Sequence, residues 1–220
     1  MMRIRSIACL LLICSAMLIA LPARAAIIYN NGPINGRIES LDIAAPAPRV
    51  FDSFTVSSSG MTLLGFTFGA WLQPGDVLQA VSFEMYTLPD ETGHKIISAN
   101  VAVTQSNCTM NEFQLAVCLE TVSFPGGPTL PVGTAWLDIF NSTHINVGGI
   151  VGWDINNGVG CTSPGCPSQA VDDNGLYLHS ESFAIDAGVG QQPTPEPGSL
   201  ALMAAGAAAV AGAVRRKMMR

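Results

Sequence analysis

The 220-residue sequence predicts an all-β protein, an antiparallel two-sheet β-sandwich of jelly-roll-like form, followed by a C-terminal transmembrane helix. Three observations carry this prediction. Apolar residues recur at every second position through the middle of the chain, the period of a strand with one buried face. Clusters of Gly, Pro, Asn, Asp and Ser cut that alternation into short segments, with no amphipathic helical period between them. Near the C-terminus, the uncharged run from Gly198 to Val214 stops at a basic cluster, the pattern of a membrane span.

Residues 1–25 read as a signal peptide. Arg3 and Arg5 form a positive start, Ile7 to Leu21 is almost wholly apolar, and Ala23-Arg24-Ala25 is a small-x-small cleavage site. Signal peptidase would cut after Ala25. A lipoprotein reading centred on Cys14 fails, because Ile13 stands where a small residue is needed.

Residues 26–190 form the β-sandwich domain. Val81 to Tyr86 alternates strictly, and so does Phe113, Leu115, Val117 and Leu119, with Gln114, Cys118 and Glu120 opposite. That phase places Cys118 on the outward face. Further strands are expected over 49–57, 61–72, 95–104, 133–141, 148–154 and 176–185. Turn clusters separate them, among them Ser57-Ser58-Ser59-Gly60, Gln73-Pro74-Gly75-Asp76 and Pro125-Gly126-Gly127-Pro128. The domain holds four cysteines, Cys108, Cys118, Cys161 and Cys166. An even count in an exported chain suggests disulfides. Three pairings are possible, and proximity favours Cys108–Cys118 and Cys161–Cys166. A zinc site is the rival, weakened by spacings that are not C-x2-C and by the lack of a neighbouring His.

Charge narrows the partners. All 16 acidic residues lie between Ala26 and Pro197, against only Arg37, Arg49 and Lys95, so this span carries −13 while the whole chain carries −6. That balance opposes nucleic acid and anionic lipid. It suits a hydrated polysaccharide matrix, divalent cations, or plain solubility. No catalytic residue is assigned. No G-x-S-x-G elbow occurs, and His94, His144 and His179 read as surface or rim histidines. A glycan hydrolase would need two of Glu84, Glu112, Glu120 and Glu181 placed together. Two stretches concentrate oxygen ligands beside glycine: Asp154, Asn156, Asn157 and Gly158, and Asp172-Asp173-Asn174-Gly175. Calcium is one reading; strong turn formation is the other. No other cofactor or metal is expected. For a sugar contact, Trp153 is the best of Trp71, Trp136 and Trp153, since it precedes the Asp/Asn-rich loop. Tyr86 and Tyr177 fall on outward faces. A tryptophan packed between the sheets is the commoner outcome.

Residues 191–197 are a linker ending in Pro195-Glu196-Pro197, residues 198–214 the span, and residues 215–220 a basic cytoplasmic tail with Arg215, Arg216, Lys217 and Arg220. As a helix the span would rise roughly 25 Å, slightly short of a ~30 Å hydrocarbon core. Tripeptide, apolar span and basic cluster, in this order, resemble the PEP-CTERM sorting signal of exopolysaccharide-producing Gram-negative bacteria. The resemblance implies export, an inner-membrane-anchored precursor, and processing near the tripeptide by an exosortase, a membrane-embedded protease and transpeptidase. It also implies association with exopolysaccharide or biofilm. In the body, Phe51-Asp52-Ser53-Phe54-Thr55-Val56, Gly65-Phe66-Thr67-Phe68-Gly69-Ala70-Trp71 and Trp153-Asp154-Ile155-Asn156-Asn157-Gly158 look like the bodies of other such proteins. That likeness implies one extracellular β-domain and no reaction.

Overall fold

The computed structural model describes residues 26–37, 39–44, 48–146 and 149–189. The expected signal peptide, linker, span and basic tail lie outside the described residues. Within them the chain forms thirteen strands: β1 (Ala26–Asn30), β2 (Glu39–Asp42), β3 (Val50–Val56), β4 (Met61–Leu72), β5 (Leu78–Tyr86), β6 (Lys95–Ala102), β7 (Thr104–Met110), β8 (Ala116–Ser123), β9 (Gly133–His144), β10 (Val151–Ile155), β11 (Ala170–Asp172), β12 (Tyr177–Leu178) and β13 (Phe183–Val189). No helix among the described residues is long and apolar enough to cross a membrane.

The strands build two antiparallel sheets. Sheet A runs β1-β13-β4-β10-β2, with β8 also pairing β4 and β7 outside β8. Sheet B runs β12-β11-β3-β9-β5-β6. The twelve residues of β4 hold sheet A together. They pair with β13 from Phe68 back to Met61, with β10 over Ala70 to Leu72, and with β8 over Gly65 to Leu72.

The core lies between the two inner faces, as the strict alternation requires. From β4 come Leu63, Phe66, Phe68, Ala70 and Leu72; from β5 come Val81, Phe83 and Met85. Phe66 and Phe83 meet edge-on across the sheets with ring centroids 4.9 Å apart. Each fully buried side chain of this size stabilises the fold by about 1.5–3 kcal/mol. A second, smaller cluster of Phe51, Tyr86, Trp136 and Val171 is buried on the outer face of sheet B.

Observed β4 coincides with the expected 61–72, and β3, β5, β6, β9 and β10 lie on their expected segments. The segment 176–185 divides into β12 and β13, because Ser180 to Ser182 leave the strand to join a buried polar network. β1, β2, β7 and β11 were not expected as strands. The phase of β8 is the reverse of the sequence reading. Ala116, Cys118 and Val122 face the core, and Cys118 and Glu120 are wholly buried. Phe113, expected inside, is exposed in the preceding loop.

Candidate functional site

The stretch singled out at residues 153–158 is a structural clamp. Trp153 points into the core beside Phe68 and Phe183, and its Nε1 donates to the Ser182 carbonyl at 3.0 Å. With 0% exposure it presents no face to a ligand, which corrects the expected sugar contact. Asp154 alternates to the outer face of sheet A and is also wholly buried. Its carboxylate accepts from the Asn35 amide at 3.0 Å, the Gly36 amide at 2.9 Å and Trp71 Nε1 at 2.6 Å. Asn156 Nδ2 donates to the carbonyls of Asn31 and Pro33, while its Oδ1 accepts the Gly158 amide. Asn157 is exposed and takes a positive φ of 55° in the turn. The side chains of Asp154 and Asn156 are therefore spent on holding segment 31–36. In the second oxygen-rich stretch, Asp172 Oδ1 accepts the amides of Asn174 and Leu176, a self-contained turn.

Both expected disulfides are present, Cys108–Cys118 and Cys161–Cys166. The first joins β7 to β8 where the register shifts between Ser106 and Thr109. The second closes a loop against Asn30, whose carbonyl lies 3.0 Å from Cys161 Sγ.

The three tryptophans are all covered. Trp71 stacks on Phe113 at 5.7 Å, and Trp136 belongs to the outer cluster of sheet B. Tyr86 does lie on the outer face of its strand, but that cluster buries it, and its hydroxyl donates to the Glu84 carboxylate. Tyr177 is 77% exposed, as its outward position required. His94 and His179 are exposed, whereas His144 is partly buried with Nδ1 2.6 Å from Asp76 Oδ2. Burial opposes ionisation of Asp76, but the Asn146 amide, His144 and the Val77 amide outweigh it and hold the carboxyl below its usual range.

Sequence reading missed how many carboxyls are buried. Asp52 and Glu181 face each other at 0% exposure, and the Glu181 amide donates to Asp52 Oδ2 at 2.8 Å. Burial raises both, and Asp52 lifts Glu181 further. Burial alone pushes Glu120 up to about 8. Asp138 rises to about 7 through burial, against the pull of Arg49. Glu84 resists the same burial and falls to about 2, because Arg49, Lys95, Tyr86 and Ser98 all donate to it. The signal was in the sequence: Asp52, Glu84 and Asp138 interrupt otherwise apolar strands. Of the glutamates weighed for hydrolysis, Glu120 and Glu181 are sealed inside, Glu84 is bound in an ion pair, and Glu112 stands on the rim of a groove. The structure does not bring them together as an open carboxyl pair.

That groove, of about 880 Å³, lies on the outer face of sheet A. Its floor is Thr67 and Gly69 of β4, Val117 and Leu119 of β8, Ala184 of β13 and Ser182 just before it. Segment 32–37 forms one wall, and the loop beginning at Asn111 forms another. A Cβ on Gly69 would collide with Ser182 Oγ, Asp154 Cβ and Ile34, so these groups pack directly on the backbone of β4 and require glycine there. Trp71 ties the two walls: its indole N–H holds Asp154 beneath one, and its ring stacks on Phe113 of the other.

Two disulfides in an acidic sandwich point to an oxidising compartment outside the cytoplasm. The segment that would route the chain there begins four residues after β13. Residues 193–217 match the PEP-CTERM protein-sorting motif. The PEP-CTERM match spans the tripeptide, the apolar run and the first three of the four basic residues, and it implies export, cell-surface sorting and processing by an exosortase. It does not extend into the sandwich. No curated protein and no solved structure matches the chain.

Proposed function

We propose that the protein is a non-catalytic cell-surface or matrix protein, sorted by an exosortase through its PEP-CTERM signal and associated with exopolysaccharide. The match over residues 193–217 carries the reading. An acidic, disulfide-bonded β-body supports it, since such a body tolerates an oxidising, hydrated matrix. In this reading signal peptidase removes residues 1–25 and the body leaves the cytoplasm of a Gram-negative cell. Residues 198–214 then halt in the inner membrane, with Arg215, Arg216, Lys217 and Arg220 inside. Pro195 and Pro197 keep the tripeptide extended and out of a helix, the form a protease at the membrane surface can grip. The jelly-roll-like arrangement belongs to the same proposal, supported by two antiparallel sheets around one core. No cofactor enters the reading.

The test is intact-mass and C-terminal-peptide analysis of protein recovered from the native cell surface and medium. A terminus near Pro195 to Pro197 is expected. Surface material that still ends at Arg220 would overturn the sorting reading. Turnover of a glycan or peptide by the purified protein would overturn the non-catalytic one.

A further inference from the structure

The groove on sheet A contains polar atoms that the fold leaves without partners. Ser182 is 1% exposed, lines the groove, and its Oγ has no hydrogen-bond partner among the described residues. Asn111 lines the opposite side, and its Nδ2 is buried and equally unpartnered. A buried polar group without a partner is unfavourable, so sites of this kind are completed by a ligand or by water.

The orientation of the asparagines narrows the ligand. Asn30 Oδ1 accepts the Gly32 amide at 2.8 Å, Asn35 Oδ1 accepts the Arg37 amide at 2.8 Å, and Asn111 Oδ1 accepts the amides of Phe113 and Leu115 at 3.0 Å. Each amide oxygen is locked by the backbone, which fixes the NH₂ group as the end left to donate. Asn30, Asn35 and Asn111 all line one groove, together with Ser182, and each asparagine has its amide NH₂ left to donate. They call for a ligand rich in oxygen acceptors.

Charge and topology exclude the obvious alternatives. The charged residues lining the groove are Arg37 and Glu112, which balance, within a span at −13. A polyanion would be repelled. The groove crosses the face of sheet A from Ile27 on β1 to Asn107 on β7, five strands and about 19 Å at ~4.8 Å per strand. Between its two outer strands, β1 and β7, the groove offers a sheet face, so a chain seated across it meets side chains rather than a main-chain ladder. Ile34, Met110, Val117 and Leu119 supply apolar patches between the donors.

We propose that this groove binds a neutral polyhydroxylated chain, a segment of uncharged polysaccharide, with Asn30, Asn35, Asn111 and Ser182 donating to its oxygens. The inference deepens the matrix-association reading and rests on it for the choice of ligand class. The test is calorimetric titration of the full-length protein in lipid nanodiscs with cellohexaose, maltohexaose and dextran. Alginate serves as the polyanion and an uncharged extended peptide as the polypeptide control. Saturable binding of at least one neutral glycan is expected. The variants Asn35→Asp and Asn111→Asp keep the carboxylate-type oxygen that each turn needs but remove the donor. They should melt like the parent and bind at least about tenfold more weakly. Equal binding by both variants would overturn the site, as would preference for alginate, preference for the peptide, or no glycan binding at all. A protein that still co-purifies with its matrix while failing these titrations would leave the matrix reading standing and remove only the groove.

Discussion

Asp154 shows how much one buried side chain can organise. Its carboxylate accepts three N–H groups from two elements. Truncation in Asp154→Ala would leave the buried Gly36 and Trp71 N–H groups and the half-buried Asn35 amide without an acceptor, at a cost of about 3 kcal/mol or more. Asp154→Asn keeps one oxygen and should lose roughly half as much. Urea unfolding followed by tryptophan fluorescence measures both; an unchanged midpoint for the alanine variant would refute the clamp. Glu120 makes the opposite prediction. Its folded pKa of about 8 lies above the unfolded value, so the folded state binds the extra proton. Stability is then fully present below about pH 4.5 and is lost as pH rises toward 8, by up to ~1.4 kcal/mol per pH unit. Glu120→Gln should remove this slope, and the parent-minus-variant difference across pH 4.5 to 8 reads it directly. The sequence located the 153–158 loop but not its role. In β10, Val151, Trp153 and Ile155 share one face and are buried, which is why the tryptophan is inside. What alternation could not reveal was that segment 32–37, over a hundred residues away, lies on the other face.

Among the elements, the β7–β8 hairpin deserves the closest test. β7 pairs only with β8, and its sequence Thr-Gln-Ser-Asn-Cys-Thr-Met is largely exposed. The Cys108–Cys118 bond fastens it at the register shift. A double change to alanine should cost about 2–4 kcal/mol and loosen this hairpin first. Amide hydrogen exchange should show β7 losing protection while β4 and β5 keep theirs; uniform loss would mean the hairpin is not a separable unit. The legibility of elements follows the same physics. β4 and β5 were readable because one face is core and the residues alternate. β7, β2 and β11 were not, being polar, edge-lying or only three residues long. β8 has the phase inverse to the expected one because its more apolar side, Val117 and Leu119, lines the groove, while a half-cystine and a buried carboxyl occupy the core side.

At the scale of the whole molecule, the buried acids act together. Asp52, Glu120, Asp138 and Glu181 are raised, and each withdraws stability as pH climbs above its unfolded value. Glu84 is lowered to about 2 and withdraws stability below about pH 4.5. The melting temperature should therefore peak near pH 4–5 and fall toward pH 8, which a pH series of thermal melts by circular dichroism would establish. A maximum above pH 7 would contradict the buried-carboxyl account. The all-β, two-sheet antiparallel class, the disulfide pairing and the sorting motif were legible in the sequence, because they rest on local period, proximity and a short contiguous pattern. The groove was not, because five strands distant in sequence build it.

The register of the outermost pair in sheet A also bears on when the body can form. β1 has β13 as its sheet partner, with Ala26 opposite Ala187, so the first strand of the sandwich waits for the last. A chain threading outward from its N-terminus delivers β13 at the very end, just ahead of the sorting motif. Until then β1 is an unpaired strand with its backbone groups facing water. The topology thus leaves the β1 edge of sheet A open until β13, the last of the described strands, has been delivered.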